Sequence, residues 1–350
     1  MRVAVVDIGT NSTRLLVADV DPRTGSVQEL ERRSTVTRLG HGVDSSGSLA
    51  DDAIERVFST LAQYRAAIDQ HRASANLAVL TSAVRDASNG ADFAERVRHD
   101  FGLDARILSG EQEAQLTFLG AMSGRPIQDP SRFAHGGDAT QSVESAEVAG
   151  VTKTSETDDT GEAGQAAEPT VVIDIGGGST EFVVGVARTV HFHTSLNAGV
   201  VRMSERHIHS DPPAPHELQA LALDVRSTFL HGLPPHERAA VKHGIAVAGT
   251  ATSAASIDQE LDPYDPARVH RYVLQLGTVE LLLARLADMT EQQRRQVVGL
   301  SPDRAPTIVA GMILLEEAMR AFELEQVQVS EHDILYGGAL LAAGAVAGAA

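Results

Sequence analysis

The chain contains no cysteine, which removes disulfides, thiolate nucleophiles and cysteine-ligated zinc together and suits a reducing compartment. Long hydrophobic runs are missing at the start. Met1-Arg2 leads into VAVV, which Asp7 ends, too short a stretch for a signal peptide or a membrane span. Positive charge is outweighed: Lys plus Arg number 29 against 47 Asp plus Glu, a formal net charge of −18, which disfavours a general nucleic-acid-binding surface. These absences predict a soluble, cytoplasmic protein with neither nucleic acid nor membrane as partner. They do not exclude an anionic small substrate, because backbone N–H groups, a few arginines and a divalent cation hold phosphate locally whatever the overall sign of the surface.

A length of 350 residues exceeds what one compact core usually organises, so two domains are expected. Residues 125–169 separate them: after Phe133 this acidic, low-complexity segment has no aromatic, Leu or Ile and reads as a disordered insertion. The expected domains are 1–124 and 170–350. The periodicity predicts strands at 2–8, 14–20, 27–36 and 77–84, helices at 51–71 and 92–99, and a short strand at 105–109. A helix follows over 109–122, started by a Ser109/Gln112 capping box. After the insertion come strands at 170–175, 181–187, 190–195 and 245–249, with helices between. The C-terminal stretch from Ile334, rich in glycine and alanine, reads as a small-residue helix that packs back on the first domain.

One phrase occurs twice. VVDIGTNSTRLLV (5–17) and VIDIGGGSTEFVV (172–184) align without a gap, with Asp7/Asp174, Gly9/Gly176, Ser12/Ser179 and Thr13/Thr180 identical. Glycine reaches positive φ and lets another group approach the main chain. Gly176, Gly177 and Gly178 therefore offer a run of amides to an anion, with Ser179 and Thr180 adding hydroxyls. Asn11, Ser12 and Thr13 supply the same chemistry in the first copy. Asp174, and Asp7 in the matching place, end strands where a divalent cation can be held. The mismatch Arg14/Glu181 is complementary: an arginine fork for phosphate oxygens on one side, a carboxylate for metal or water on the other.

With TSAVRDASN (81–89), ILSGEQEAQLTFLGA (107–121) and AVAGTATSAAS (246–256) in order, the chain resembles the exopolyphosphatase / guanosine pentaphosphate phosphohydrolase family. That family lies within the actin, sugar-kinase and heat-shock-chaperone ATPase superfamily, and the likeness is greatest to its short two-domain actinobacterial members. The resemblance implies an α/β fold of two duplicated actin-like, ribonuclease H-like domains with a cleft between them, and magnesium-dependent hydrolysis of a terminal phosphoanhydride. It implies Glu113 as catalytic base, Asp174 and Glu181 near metal or attacking water, and Arg85 and Gly249 near phosphate. Gln112 stands where the family has a second glutamate. From the residues alone, Glu111 is as good a candidate as Glu113. The implied partners are inorganic polyphosphate, with short chains preferred, or guanosine pentaphosphate; a homodimer is left open. An actin-like ATPase or kinase, and a polyphosphate sensor without catalysis, are the competing classes. The pairs His191/His193 and His207/His209 are not read as a metal site, since no carboxylate or cysteine pattern completes one.

Overall fold

A computed structural model describes residues 1–123, 168–187 and 189–345; the expected disordered insertion lies, but for residues 168 and 169, outside them. The strands β1 (Arg2–Ile8), β2 (Ser12–Val20), β3 (Val27–Val36), β4 (Ala75–Leu80) and β5 (Asp104–Ile107) form one sheet in the order β3-β2-β1-β4-β5. The strands β6 (Thr170–Ile175), β7 (Thr180–Val186), β8 (Thr189–Leu196), β9 (His243–Val247), β10 (Val273–Gln275) and β11 (Gln326–Val329) form a second, ordered β10-β11-β9-β6-β7-β8. Leaving aside β10, the two sheets have one plan. The first three strands of each are antiparallel, and the next two join parallel on the far side. Even the irregularity recurs, at Val17/Ala18 in β2 and at Val184/Gly185 in β7, which are aligned positions of the repeated phrase.

The apolar run of β1 is buried on both faces, as expected of a strand covered by helices on each side. Ala4, Val6 and Ile8 pack with Val57 and Leu61 of helix Asp51–His71, while Val3 and Val5 pack with Leu335 and Ala339 of helix Ile334–Ala342. That alternation is the period of two.

Two expected strands end early. β4 stops at Leu80, the partner of the last β1 residue Ile8. The amides of Val84 and Arg85 then turn back to the Thr81 carbonyl at 3.1 and 3.0 Å, so TSAVRD becomes helix Ser82–Asp86. β9 stops at Val247 because Ala248 takes φ 62°, and helix Ala248–Asp258 begins there.

The two halves exchange their closing helices. Helix Gly110–Ala121, from the first half, lays Ala114, Phe118 and Ala121 on Val172, Val183 and Ile245 of the second sheet. Helix Ile334–Ala342, from the second half, lies on the first. They cross in close contact at glycines: a Cβ on Gly120 would sit 1.8 Å from the Asp333 carbonyl oxygen, and one on Gly337 1.9 Å from that of Leu116. This exchange carries Glu113 from its own half to the carboxylates of the other. No helix among the described residues is long and apolar enough to cross a membrane.

Candidate active site

The two copies of the phrase form two hairpins of matching geometry. Gly9 N–H donates to the Ser12 carbonyl, and Gly176 N–H to that of Ser179, each at 3.0 Å. Asp7 pairs across its hairpin with Arg14, and Asp174 with Glu181. The turns meet: a Cβ on Gly177 would lie 2.8 Å from Thr10 Cβ and 2.9 Å from the Asn11 nitrogen. None of Gly176, Gly177 and Gly178 adopts positive φ, so the conformational reason expected for these glycines does not apply. Gly177 and Gly178 are small because Thr10 of the opposite turn is against them, and Gly176 faces only the Ser179 carbonyl of its own turn, at 3.2 Å from a Cβ.

An inner cavity of about 80 Å³ lies beside this contact. It is lined by Asp7, Asn11, Ser12, Arg14, Gly176, Gly177, Ser179, Glu113, Asp174, Glu181, Gly249 and Arg304. Of the residues expected at the site, four lie elsewhere. Thr13 Oγ1 pairs with Thr37 Oγ1 at 3.0 Å, and Thr180 Oγ1 donates to the Ala198 carbonyl at 2.5 Å; both hydroxyls are used inside the fold. Gly178 packs against Ser82 and Thr10. Arg85 lies behind Glu113, donating through Nη1 to Glu113 Oε2 and to the Leu108 carbonyl, both at 3.0 Å.

The Arg14 guanidinium, expected to fork a phosphate, instead bonds Asp7 Oδ2 from Nε and Nη2 at 2.9 and 2.6 Å and Asp333 from Nη1. Asp333 also caps its helix by accepting from Leu335 N–H at 3.0 Å. Burial opposes its charge, yet Arg14 and Arg32 hold it below the ordinary carboxylate range.

The other carboxylates shift the opposite way. Burial, then the Glu181 charge, push Glu113 and Asp174 well up, against Arg85 in the first case and Arg14 in the second. Burial also raises Glu181, although Ser179 and Ser195 donate to its Oε1 at 2.6 and 2.7 Å. Burial raises Asp7 too, against the opposing Arg14 charge, and its Oδ1 is buried without a hydrogen-bond partner. So many buried carboxylates on one small cavity need compensation. Among the described residues no three acidic or histidine side chains converge to hold an ion by themselves. The cross-strand pair of buried acids Asp174 and Glu181 fits a cation such as Mg²⁺, which takes one or two carboxylates and keeps waters.

The first turn of helix 110–121 separates the two glutamates that sequence leaves equal. Glu113 is buried and faces the cavity, whereas Glu111 faces a recess on the opposite side. Gln112 is occupied as a cap: its Oε1 accepts from Ser109 N–H at 3.0 Å and its N–H reaches Ser109 Oγ at 3.2 Å. Glutamine performs this as well as glutamate.

Sequence reasoning missed Asp333, Ser195 and Arg304. Arg304 is the most telling. Its guanidinium lies over Gly249, where a Cβ would come 1.4 Å from Nη1, and no hydrogen bond or ion pair to a described residue engages it. The signal available was its place in SPDRAP, a turn between prolines ahead of an apolar helix. Beyond Arg14, Gly249 and Arg304 the inner cavity adjoins an outer one of about 630 Å³, walled by β3, Tyr264 and Glu331. There Arg32 pairs with Glu331 at 2.9 Å and Arg33 with Glu31 at 2.5 Å.

The profile of the Ppx/GppA phosphatase family matches residues 16–131 and 161–339. The chain is 33% identical to exopolyphosphatase 2 of Mycobacterium tuberculosis, over 98% of this chain and 99% of that one. Among solved structures, an exopolyphosphatase-like protein aligns with TM-score 0.80 and 28% identity, covering 97% and 96% of the two chains. The Aquifex aeolicus Ppx/GppA family member aligns at 0.73 and 26%, covering 97% of each. With its duplicated sheets, exchanged helices and carboxylate-lined cavity between them, this chain belongs to the Ppx/GppA phosphatase family.

Proposed function

We propose that the protein is an exopolyphosphatase, releasing orthophosphate from the end of inorganic polyphosphate in a magnesium-dependent reaction. The observation that carries this reading is one inner cavity lined jointly by both hairpin turns, Glu113, Asp174 and Glu181. At about 80 Å³ it is far below the roughly 300–1,000 Å³ of pockets that enclose whole small molecules. It suits a single end group.

In the reaction a water oxygen attacks the terminal phosphorus, and the bond to the bridging oxygen breaks. Glu113 takes the proton of the water, and the shortened chain leaves with its oxygen charged. Phosphoryl transfer of this kind needs alignment and charge compensation more than covalent chemistry. The amides of the turns and of the first turn of helix Ala248–Asp258 face the phosphoryl oxygens, as helix N-termini and loop amides do for anions. Arg304 supplies the positive charge at the neck toward the leaving group. Asp174 and Glu181 would hold the cation, which when bound neutralises phosphate oxygens and the carboxylates around them, while Asp7, expected as a third ligand, is engaged by Arg14.

The outer cavity supports a preference for short chains. Arg14, Arg32 and Arg33 are engaged by carboxylates there, so a long polyanion meets little free positive charge beyond Arg304. A second reading, hydrolysis of the 5′ γ-phosphate of guanosine pentaphosphate, draws on the same cavity, whose volume of about 630 Å³ admits a nucleoside. The deciding experiment measures orthophosphate release from polyphosphates of several lengths, guanosine pentaphosphate and ATP, with magnesium and with chelator. The proposal expects short polyphosphate turned over fastest and chelator abolishing release. Undiminished turnover in chelator, or release from ATP alone, would overturn it.

A further inference from the structure

The inner cavity has a second neighbour. A polar recess of about 490 Å³, sharing no lining residue with the outer cavity, is lined by Arg85, Asp86, Glu111, His193, Ser195 and Asn197 among others. The wall between recess and cavity consists of two side-chain pairs. Glu113 faces inward and its partner Arg85 faces the recess, their contact being 3.0 Å. Glu181 faces inward and Ser195 faces the recess, at 2.7 Å. Gly110 completes the closure, since a Cβ there would be 3.1 Å from that of Ser195.

We propose that this recess is the exit for product orthophosphate, with the Arg85–Glu113 and Ser195–Glu181 pairs as its inner gate. The proposal rests on the hydrolase reading above. After the terminal bond breaks, the new orthophosphate sits in the inner cavity beside Glu113, and the shortened chain still occupies the neck at Gly249 and Arg304. Release past the chain requires the chain to leave first. Release past Arg85 does not. The Arg85 guanidinium, about a quarter exposed and lining the recess, stands on a flexible stem that lets it accompany the anion outward.

The test fills the recess without touching either gate pair. Asn197 is exposed and its side chain makes no hydrogen bond to a described residue; His193 shares its strand face, two residues before Ser195. Asn197→Trp, alone and with His193→Trp, is compared with Asn197→Gly, with melting temperatures checking the fold. Acid-quenched samples report orthophosphate formed, and a phosphate-binding fluorescent reporter in the same mixing experiment reports orthophosphate free in solution. Quenched product from the unmodified protein tests the hydrolase reading by itself.

For the filled variants the expected result is unchanged first-turnover formation with free phosphate delayed by about tenfold or more, so that release limits turnover. Asn197→Gly should release as the unmodified protein does. Formation and release that stay coincident in well-folded filled variants overturn the exit. A raised KM for polyphosphate with slower quenched formation overturns it as well, since the recess would then be the substrate's path.

Discussion

Replacing Glu113 by glutamine should slow the reaction and steady the fold together. Glutamine preserves size and can still hydrogen-bond Arg85, but it cannot accept the proton of the attacking water. Loss of a general base typically costs roughly 10²- to 10⁴-fold in rate, about 2.7 to 5.4 kcal/mol of barrier. The stability sign follows from the site. Burial and the Glu181 charge raise Glu113 well above an ordinary carboxylate, so at neutral pH, above the titration of the unfolded chain, the folded state disfavours the ionised carboxylate more than the unfolded chain does. A neutral isostere removes that cost, and the melting temperature at pH 7 should hold or rise. The gain should fade as the buffer is acidified through the raised titration, where the native glutamate is itself protonated. Differential scanning fluorimetry across pH and orthophosphate release by Glu113→Gln give the two readouts. Glu111→Gln, whose side chain faces the recess, is the control and should remain active. Two results would refute the reasoning: an inactive Glu111→Gln beside an active Glu113→Gln, or a Glu113→Gln protein that melts several degrees lower at neutral pH. The second would mean that the Arg85 ion pair outweighs the desolvation.

Three further outcomes are expected. The kcat profile should fall on the acid side above the ordinary glutamate range, because the base works only ionised and its titration is raised; in Glu181→Gln, whose loss removes the second cause of that rise, the residual activity should extend to lower pH, and an unmoved limb would detach the limb from Glu113. Gly249→Ala places a Cβ 1.4 Å from Arg304 Nη1, the free end of a flexible side chain, so it should displace Arg304 with little change in melting temperature and raise KM roughly 10- to 100-fold, in keeping with the loss of a charged hydrogen bond; an unchanged KM would remove Arg304 from the substrate. Gly177→Ala meets Thr10 Cβ at 2.8 Å and the Asn11 nitrogen at 2.9 Å, positions that cannot swing aside, so it should cost about 1–3 kcal/mol in denaturant unfolding besides impairing turnover, and full stability would deny that the turns press together.

The repeated phrase made most of the fold legible. A one-to-one alignment of D-I-G-x-x-S-T fixes strand, turn and strand twice, and the register follows, because a slip of one residue would exchange the two faces of β1, sending the side chains that pack on helix Asp51–His71 to helix Ile334–Ala342 and the reverse. Local pattern failed where tertiary pairing decides. LAVLTSAV is apolar but for Thr81 and Ser82 and reads as one strand, but β1 offers no partner beyond Ile8, and the chain coils into the helix that carries Arg85. The exchange of closing helices left only an indirect trace, in Gly120 and Gly337, whose need for glycine depends on a backbone more than two hundred residues away.

The site was legible in its carboxylates and turns and obscure in its arginines, for one physical reason. A hairpin amide or a strand-end aspartate has its direction set by its own few residues, so a short motif announces it. An arginine reaches far on a flexible stem and goes where the charges of the assembled fold send it. Arg14 sits inside the motif yet is engaged by Asp333, 319 positions along the chain, whereas Arg304, with no motif around it, lines the cavity with no ion pair to a carboxylate among the described residues. The duplication explains the division of labour. Asp7 with Arg14 and Asp174 with Glu181 occupy the same cross-strand position in the two copies, but the first pair neutralises itself and the second is two buried acids. The uncompensated negative charge therefore lies on the second sheet, opposite Glu113, and that is the side on which a cation has most to offer.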